Sequence, residues 1–400
     1  MIPFQSLAQT YGTPLYLYDF DAMQEQFDVL KEAFRGRKSI LAYAVKANSN
    51  LSVIKHFASL GSGADCVSIG EVRRALMAGV PAYKVIFSGV GKRDDEIREA
   101  ILSDILYINV ESEAELGRVE TIARELNTKA RISIRVNPNI DPKTHPYIST
   151  GLHDNKFGVE IDAAKRMYIR AKNSDSLDAV GIHFHIGSQL TQLEPIYEAA
   201  VIVADLMRSL SAIDINLKFF DVGGGLGVRY NDEMTITPYD YAQAILGAIK
   251  GLDVTIICEP GRFLTANSGY FLTKVLYEKQ NGQKRFVVVD GAMNDLLRPS
   301  LYKAYHRIEA LDKSGETSLA DVVGPVCESG DFLAKEYPLP LMEHNDLLVV
   351  HSAGAYGFGM GSNYNTRGRS AEVAYQNGEA RLIRSRESFD DLIALEREYL

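Results

Sequence analysis

The chemistry of this chain starts from one lysine. In Ser39-Ile-Leu-Ala-Tyr-Ala-Val-Lys-Ala-Asn-Ser-Asn50, Lys46 follows an apolar run and precedes a polar turn. Alternation puts Ile40, Ala42, Ala44 and Lys46 on one face of a strand, and Leu41, Tyr43 and Val45 on the other. Both faces are apolar, as in a parallel sheet covered on both sides. A lysine at the end of such a strand can be desolvated enough to lower its pKa, the condition for an imine-forming amine. A lysine that only snorkels to the surface would read the same way. What converges on it decides.

Three further groupings converge. His183-Phe-His-Ile-Gly-Ser-Gln189 places two histidines on one strand face, opposite Ile182, Phe184 and Ile186. Such a pair could start a metal site, but no matching set of Asp or Glu ligands completes it, and no metal is expected. A flat imidazole over an aromatic cofactor, with Ser188 helping to hold a phosphate, fits these residues better. Asp221-Val-Gly-Gly-Gly-Leu-Gly227 allows backbone N–H groups to cradle an anion, although a tight turn alone would explain it equally. Cys258-Glu-Pro-Gly-Arg262 combines a strand-end carboxylate, a rigid turn and a guanidinium suited to phosphate or carboxylate. An ordinary Glu259–Arg262 ion pair is the plainer account. A carboxylate beside a pyridine nitrogen, however, keeps that nitrogen protonated, as an electron-sink cofactor requires. Lysine, flat histidine, anion cradle and acid with arginine together describe pyridoxal 5'-phosphate carried on Lys46.

The elements that must position these groups form a regular alternation. Strand-like runs end near Lys46, Ile69, Ser88, Val110, Val136, Ile186, Val222 and Glu259, separated by amphipathic segments such as Asp94-Asp-Glu-Ile-Arg-Glu-Ala-Ile-Leu. Eight strand–helix units fit a (β/α)8 TIM-type barrel, whose sites lie at the C-terminal strand ends. An open doubly wound sheet is the rival, weakened by the absence of GxGxxG in the first βα turn. After residue 266 the runs Arg285-Phe-Val-Val-Val-Asp, Leu347-Leu-Val-Val-His-Ser and Ala371-Glu-Val-Ala-Tyr are separated by turns, indicating a mainly antiparallel β-domain, barrel or sandwich. The expected division is a barrel over residues 22–265 and a β-domain formed by residues 1–21 with 266–400. The latter takes the early strand Pro14-Leu-Tyr-Leu-Tyr-Asp-Phe20. The irregular stretch 137–157 is long enough to be a lid or a surface excursion.

Bulk properties narrow the function class. A net charge of −9 argues against a nucleic-acid surface. No apolar run approaches the roughly 18 residues of a membrane span, and the N-terminus lacks a signal-peptide pattern. Three widely spaced cysteines, Cys66, Cys258 and Cys327, suit neither a disulfide framework nor a zinc motif. A cytoplasmic location is expected. In the β-domain, Cys327 sits in Gly324-Pro-Val-Cys-Glu-Ser-Gly-Asp331 as a candidate acid, although cysteine is more often an inert buried residue. The run Gly354-Ala-Tyr-Gly-Phe-Gly-Met could bring Tyr356 against a cofactor, or be a glycine-rich hairpin.

The motifs Tyr-Ala-Val-Lys-Ala-Asn, His-Ile-Gly-Ser-Gln, Gly-Gly-Gly, Glu-Pro-Gly-Arg, Leu-Arg-Pro-Ser-Leu-Tyr and Gly-Pro-Val-Cys-Glu-Ser-Gly-Asp closely resemble those of the diaminopimelate decarboxylases, barrel-fold pyridoxal-phosphate enzymes, over essentially the whole chain. The resemblance implies decarboxylation of meso-2,6-diaminopimelate to L-lysine and CO2, the last step of lysine biosynthesis. It also implies a homodimer in which Cys327 and Glu328 reach the neighbouring protomer's cofactor. By the same resemblance Lys46 carries the cofactor and His185 stacks on it. Ser188, Gly224, Gly225, Glu259, Gly261 and Arg262 hold it, while Arg262, Arg298, Tyr302, Glu328 and Tyr356 bind substrate. The residue types suit that substrate: its distal zwitterion needs a cation and an anion, and a site built for both penalises molecules lacking one. Rival readings are a decarboxylase of another basic or carboxylate-bearing amino acid, a racemase relative, and a non-catalytic pyridoxal-phosphate carrier. The carrier is disfavoured because such barrels usually lack a second domain.

Overall fold

The computed structural model describes residues 2–141, 150 and 155–400. Most of the 137–157 stretch considered as a lid lies outside them. The chain divides into two compact units, one of Met1–Met23, Arg229–Glu233 and Leu264–Leu400, the other of Gln24–Val228 and Met234–Phe263.

Helix α1 (Phe4–Tyr11), strand β1 (Leu15–Asp19) and helix α2 (Phe20–Ala33) open the chain. There follow β2 (Ser39–Ala44), α3 (Leu51–Ser59), β3 (Gly63–Cys66), α4 (Ile69–Met77), β4 (Val85–Phe87), α5 (Asp94–Leu102), β5 (Tyr107–Val110) and α6 (Glu113–Glu125). The alternation continues through β6 (Ala130–Arg135), α7 (Ile161–Lys172), β7 (Leu177–His183), α8 (Glu194–Ser211), β8 (Phe219–Asp221), α9 (Pro238–Ala248) and β9 (Thr255–Cys258). Strands β2 to β9 pair in parallel in chain order and close on themselves through β2–β9. This is the (β/α)8 barrel. Its interior is a packed core in which Ala42, Ile86, Tyr107, Val180 and Ile257 meet.

Short strands and immediate helix caps set where the strand-end residues fall. Asn50, Ser68, Ser112 and Thr237 each accept an N–H of the first turn of α3, α4, α6 or α9, satisfying donors that a helix start leaves unpaired. Three positions differ from the sequence expectation for this reason. Lys46 lies not on β2 but in the 3-10 turn Val45–Ala47, because the chain must reverse before its cap at Asn50. Ile69 opens α4 instead of ending a strand, since Ser68 caps that helix. The β7 ladder ends at His183, paired with Asp221, the last residue of β8, so His185 sits beyond the strand.

After α10 (Arg262–Thr265) the second unit takes over, with β10 (Gly269–Asn281), β11 (Lys284–Val289), α11 (Arg298–Tyr302), β12 (Ile308–Ala310) and β13 (Ser318–Val323). It is completed by β14 (Phe332–Leu339), β15 (Leu347–Val350), β16 (Ala371–Gln376), β17 (Glu379–Arg384) and α12 (Phe389–Ile393). The sheet order is β14-β13-β11-β10-β1-β16-β17, with β15 and β12 joining through β10. It is mainly antiparallel; β1–β16 and β11–β13 run parallel. The 13-residue β10 carries a bulge between Val275 and Tyr277. Before the bulge β10 pairs β1 and β15; its far end pairs β11. A bulge there bends the strand between two sets of partners. Leu15, Leu17, Leu272, Val349 and Val373 form the centre of this unit's core.

Candidate active site

Four of the barrel residues singled out from sequence gather at the C-terminal strand ends around a cavity of about 540 Å3, whose lining does not include Ser188, Gly224, Gly225, Gly261 or Arg262. Lys46, His183, His185 and Glu259 line it, joined by Asp65, Ser88 and Arg135. Lys46 Nζ donates to Asp65 Oδ2 at 2.8 Å; the Asp65 side chain is fully buried while that of Lys46 remains 37% exposed. Asp65 is itself held: Ser88 Oγ donates to its Oδ1 at 2.8 Å, and Asn109 Nδ2 donates to Ser88 Oγ at 3.0 Å. A polar ladder across β3, β4 and β5 therefore fixes the carboxylate that receives the lysine ammonium.

On the opposite side of the strand order, His183 Nε2 lies 3.3 Å from Glu259 Oε2. Glu259 Oε1 and His183 Nδ1 are buried with no hydrogen-bond partner among the described residues. Burial would raise the Glu259 pKa, but His183 and the Lys46 ammonium overcome it and hold the carboxyl well below its ordinary value. Asp221 behaves oppositely. Complete burial and the Glu259 charge push it well up, although Gly223 N–H donates to its Oδ1 at 2.9 Å and Tyr107 OH to its Oδ2 at 2.7 Å. One atom each from His183, Asp221 and Glu259 lie within 4.8 Å of one another. These atoms could bracket a cation, but Asp221 and Glu259 are already engaged, one by Tyr107 and Gly223 and the other by His183.

His185 is kept neutral: desolvation, with Arg135 and Lys46 nearby, pushes its pKa well below the usual histidine value. Its Nδ1 accepts the Gly224 N–H at 3.3 Å, which leaves the proton on Nε2. The glycine turn admits no side chain. A Cβ on Gly224 would lie 2.2 Å from the Glu259 carbonyl oxygen, and one on Gly225 (φ +109°) would lie 2.3 Å from that of Gly187. Gly261 is packed against Ala44 and Ala47, beside the lysine turn. Arg262 donates from Nε and Nη2 to Ser188 Oγ at 3.2 and 3.0 Å, tying the residue after β9 to the loop after β7.

The other unit holds the remaining candidates. Arg298, buried at the start of α11, stacks over Tyr230 at 5.1 Å and Tyr302 at 5.8 Å. Its Nε donates to His306 Nε2 at 3.3 Å, while His306 Nδ1 lies 3.0 Å from the His351 carbonyl and so carries the ring proton. The turn bearing Cys327 and Glu328 is anchored by buried Asp331, which accepts the N–H groups of Met293 and Val326 at 2.7 Å each. Cys327 and Glu328 are exposed on it. Tyr356, half-buried, has a left-handed backbone (φ 55°) just after Gly354, whose Cα packs against the Thr265 carbonyl with no space for a Cβ.

The pyridoxal-dependent decarboxylase, pyridoxal binding domain matches residues 20–266. A diaminopimelate decarboxylase of Campylobacter jejuni is 62% identical over 398 residues, 99% of each chain, and one of Helicobacter pylori is 56% identical over 402 residues. The crystal structure of the Helicobacter pylori diaminopimelate decarboxylase complexed with L-lysine superposes with a TM-score of 0.97 over 99% of this chain and all of the other. The chain belongs to the diaminopimelate decarboxylase family. A lysine/ornithine decarboxylase from Vibrio vulnificus, 24% identical with a TM-score of 0.83, shares the fold.

The residues of this diaminopimelate decarboxylase family member fit pyridoxal phosphate on structural grounds. A buried carboxylate oxygen lacks a donor, a glycine turn leaves no space for side chains, and a neutral imidazole and an amine face one cavity. Several site residues were not singled out in the sequence: Asp65, Ser88, Asn109, Glu111, Arg135 and His306. Glu111 and Arg135 form a buried pair at 3.1 Å; Glu111 also accepts the N–H groups of Gly89 and Gly158. Their signal was position alone: Asp65, Ser88, Asn109, Glu111 and Arg135 fall at or just past the ends of β3 to β6, where barrel sites are built. Among the described residues no helix is long and apolar enough to cross a membrane.

Proposed function

We propose that this chain catalyses the pyridoxal-phosphate-dependent decarboxylation of meso-2,6-diaminopimelate to L-lysine and CO2, the closing step of lysine biosynthesis. The observation that carries the cofactor reading is the buried, anionic Glu259, with an oxygen lacking a donor, in the wall of the cavity that holds the Lys46 amine. Family membership over the whole chain carries the substrate. When bound, the cofactor supplies a carbonyl for the substrate amine and a ring that accepts the electron pair released when the carboxylate leaves.

The chain's own residues supply the rest. Lys46 is the attachment amine, and Asp65 orients its Nζ through the ladder from Ser88 and Asn109. Glu259 holds a proton on the ring nitrogen, since an anion is the partner that favours the protonated form. His185, kept neutral, would lie against the ring. Gly224, Gly225, Ser188, Gly261 and Arg262 would hold the phosphate, backbone N–H groups and a guanidinium being the standard donors to such an oxyanion. Arg298, with Arg262, Tyr302, Glu328 and Tyr356, recognises the substrate. The Arg298 guanidinium lies near two phenol rings and its Nε donates to His306, contacts that restrain it for a planar carboxylate. Cys327 Sγ delivers the proton to the carbon that has lost CO2. Because Cys327 and Glu328 stand exposed on their turn, they suit a site completed by a second protomer, and we read the protein as a homodimer working in the cytoplasm.

The deciding experiment measures CO2 release from meso-diaminopimelate, L-lysine and L-ornithine, alongside the visible absorption of wild type and Lys46→Ala. Release from diaminopimelate alone, with a lysine-dependent absorption band, is expected. A band with no release from any of the three would retain the cofactor and discard the substrate.

A further inference from the structure

At the C-terminal ends of β8 and β9 two carboxyl groups lie buried in one cluster. Asp221 and Glu259 are buried and bring one oxygen each within the same 4.8 Å cluster as His183. Two carboxylates that close in a low-dielectric interior share a proton, because the second ionisation is opposed by the first. The surroundings decide which one keeps it. Glu259 lines the cavity beside Lys46 and touches His183 Nε2. Asp221 does not line the cavity; it accepts the Tyr107 hydroxyl and the Gly223 N–H, and burial with the nearby Glu259 charge pushes its pKa up. The remaining titratable neighbours, Cys258 and Tyr241, are kept neutral by burial.

We infer that Asp221 is a neutral, proton-bearing positioning residue whose carboxyl hydroxyl donates to Glu259 and thereby keeps Glu259 as the anion of the site. Tyr107, on β5, completes the arrangement by donating to Asp221 Oδ2 and fixing the plane of its carboxyl group. The proton that a bare carboxylate pair would otherwise take up on Glu259 is stored one residue deeper. Glu259 then meets an incoming ring nitrogen as an acceptor only. This explains a full Asp where a tight turn into three glycines needs no more than the Oδ1 acceptor for Gly223. The inference depends on the proposed function only for what Glu259 faces; the protonation of Asp221 is a property of the chain alone.

The test separates the two. Infrared spectra of the apoenzyme are recorded for wild type and Asp221→Asn, at a pH where Asp295, pushed up to about 6, is ionised. The wild type should show a C=O stretch of an unionised carboxylic acid that is missing from Asp221→Asn and moves on 13C labelling of aspartate carboxyls. Movement on glutamate labelling instead, or no such band, overturns the inference. Pyridoxal phosphate titrated into apoenzyme should bind roughly tenfold to a hundredfold more weakly in Asp221→Ala, the cost of a lost hydrogen bond to a charged group. Asp221→Asn, which donates without titrating, should recover most of that loss. An Asn variant as weak as Ala means that a charge on Asp221 is needed, and the inference falls. If Asp221→Asn does not fold, Tyr107→Phe serves: it should shift the wild-type band, and an unmoved band counts against the assignment. Failure of wild type to bind pyridoxal phosphate would remove the functional reading and leave the infrared result standing.

Discussion

The two units handle their reactive groups in opposite ways. In the barrel these candidates are braced from another strand end: Asp65 by Ser88 and Arg135 by Glu111 from the adjacent strand, Glu259 by His183 and Arg262 by Ser188 from across β8. In the β-unit the framework is equally firm, with Asp331 anchoring the 326–331 turn, yet Cys327 and Glu328 project from it into solvent. A charged group preorganised within its own unit can be tuned by burial; one presented on an exposed turn can be tuned only by what it meets. Under the proposed function, cofactor chemistry is built into one unit and proton delivery would depend on assembly.

Four tests bear on that contrast, beginning with the largest effect. Lys46→Ala should abolish both turnover and the visible band. Cys327→Ala should lower kcat by roughly 10²–10⁴-fold, the usual worth of a positioned acid, while leaving the band intact. Loss of the band in Cys327→Ala would erase the division between the units. Mixed and re-dimerised, these two variants should regain activity through one intact site; confirmed heterodimers that stay inactive would sink the shared-site assignment.

Next comes a comparison of ion pairs. Glu111→Gln leaves the buried Arg135 guanidinium without its carboxylate and should cost about 3–5 kcal/mol in denaturant unfolding. Arg307→Ala, which removes the partly exposed pair with Glu309 in the β-unit, should cost about 1 kcal/mol or less for that ion pair. Equal losses would show that burial does not separate the two units' electrostatics.

The pH dependence of stability sharpens the carboxyl pair. A carboxyl whose folded pKa is raised, as for Asp221, contributes stability below the unfolded aspartate value of roughly 3.9 and loses it as pH rises toward the folded pKa. Asp221→Asn removes that loss, so the melting temperature of the variant relative to wild type should climb as pH increases from acid to neutral. Glu259, held low, has the opposite sign: its contribution is present above the unfolded glutamate pKa and disappears on acidification. A relative melting temperature that falls with rising pH would mean that Asp221 is ionised.

The smallest effect belongs to the caps. Ser68→Ala and Ser112→Ala each remove one acceptor from the start of α4 or α6 and should cost about 1 kcal/mol. Larger losses, or loss of the visible band, would show that these loops contribute to the cavity beyond helix capping.

Much of this was legible in the residues. The alternation of strand and helix runs gave the barrel, and Lys46, the Gly-Gly-Gly turn and Glu-Pro-Gly-Arg marked the strand ends that carry the site. Each is a local pattern with few physical explanations. Asp65, Glu111 and Arg135 were not legible, because a lone charged residue at a strand end looks like any other until its partner is known. The partners of Asp65 and Arg135 lie 19 to 24 residues away on the neighbouring strand ends. His306 was hidden for the same reason: only the approach of β15 to β12 brings the His351 carbonyl to its ring and fixes which nitrogen faces Arg298.

The sequence by itself determined the fold class, the glycine turn and the family, and singled out Lys46 as the candidate attachment amine, since these follow from periodicity, from residue types that tolerate few alternatives, and from contiguous motifs. The tertiary structure alone decided protonation. Lysine, histidines and two carboxyls spaced across more than two hundred residues acquire their charge states only when barrel closure places them in one desolvated cluster. There His183 and the Lys46 ammonium hold the Glu259 carboxyl low, while burial and the Glu259 charge push Asp221 up, the asymmetry on which the inferred proton position rests.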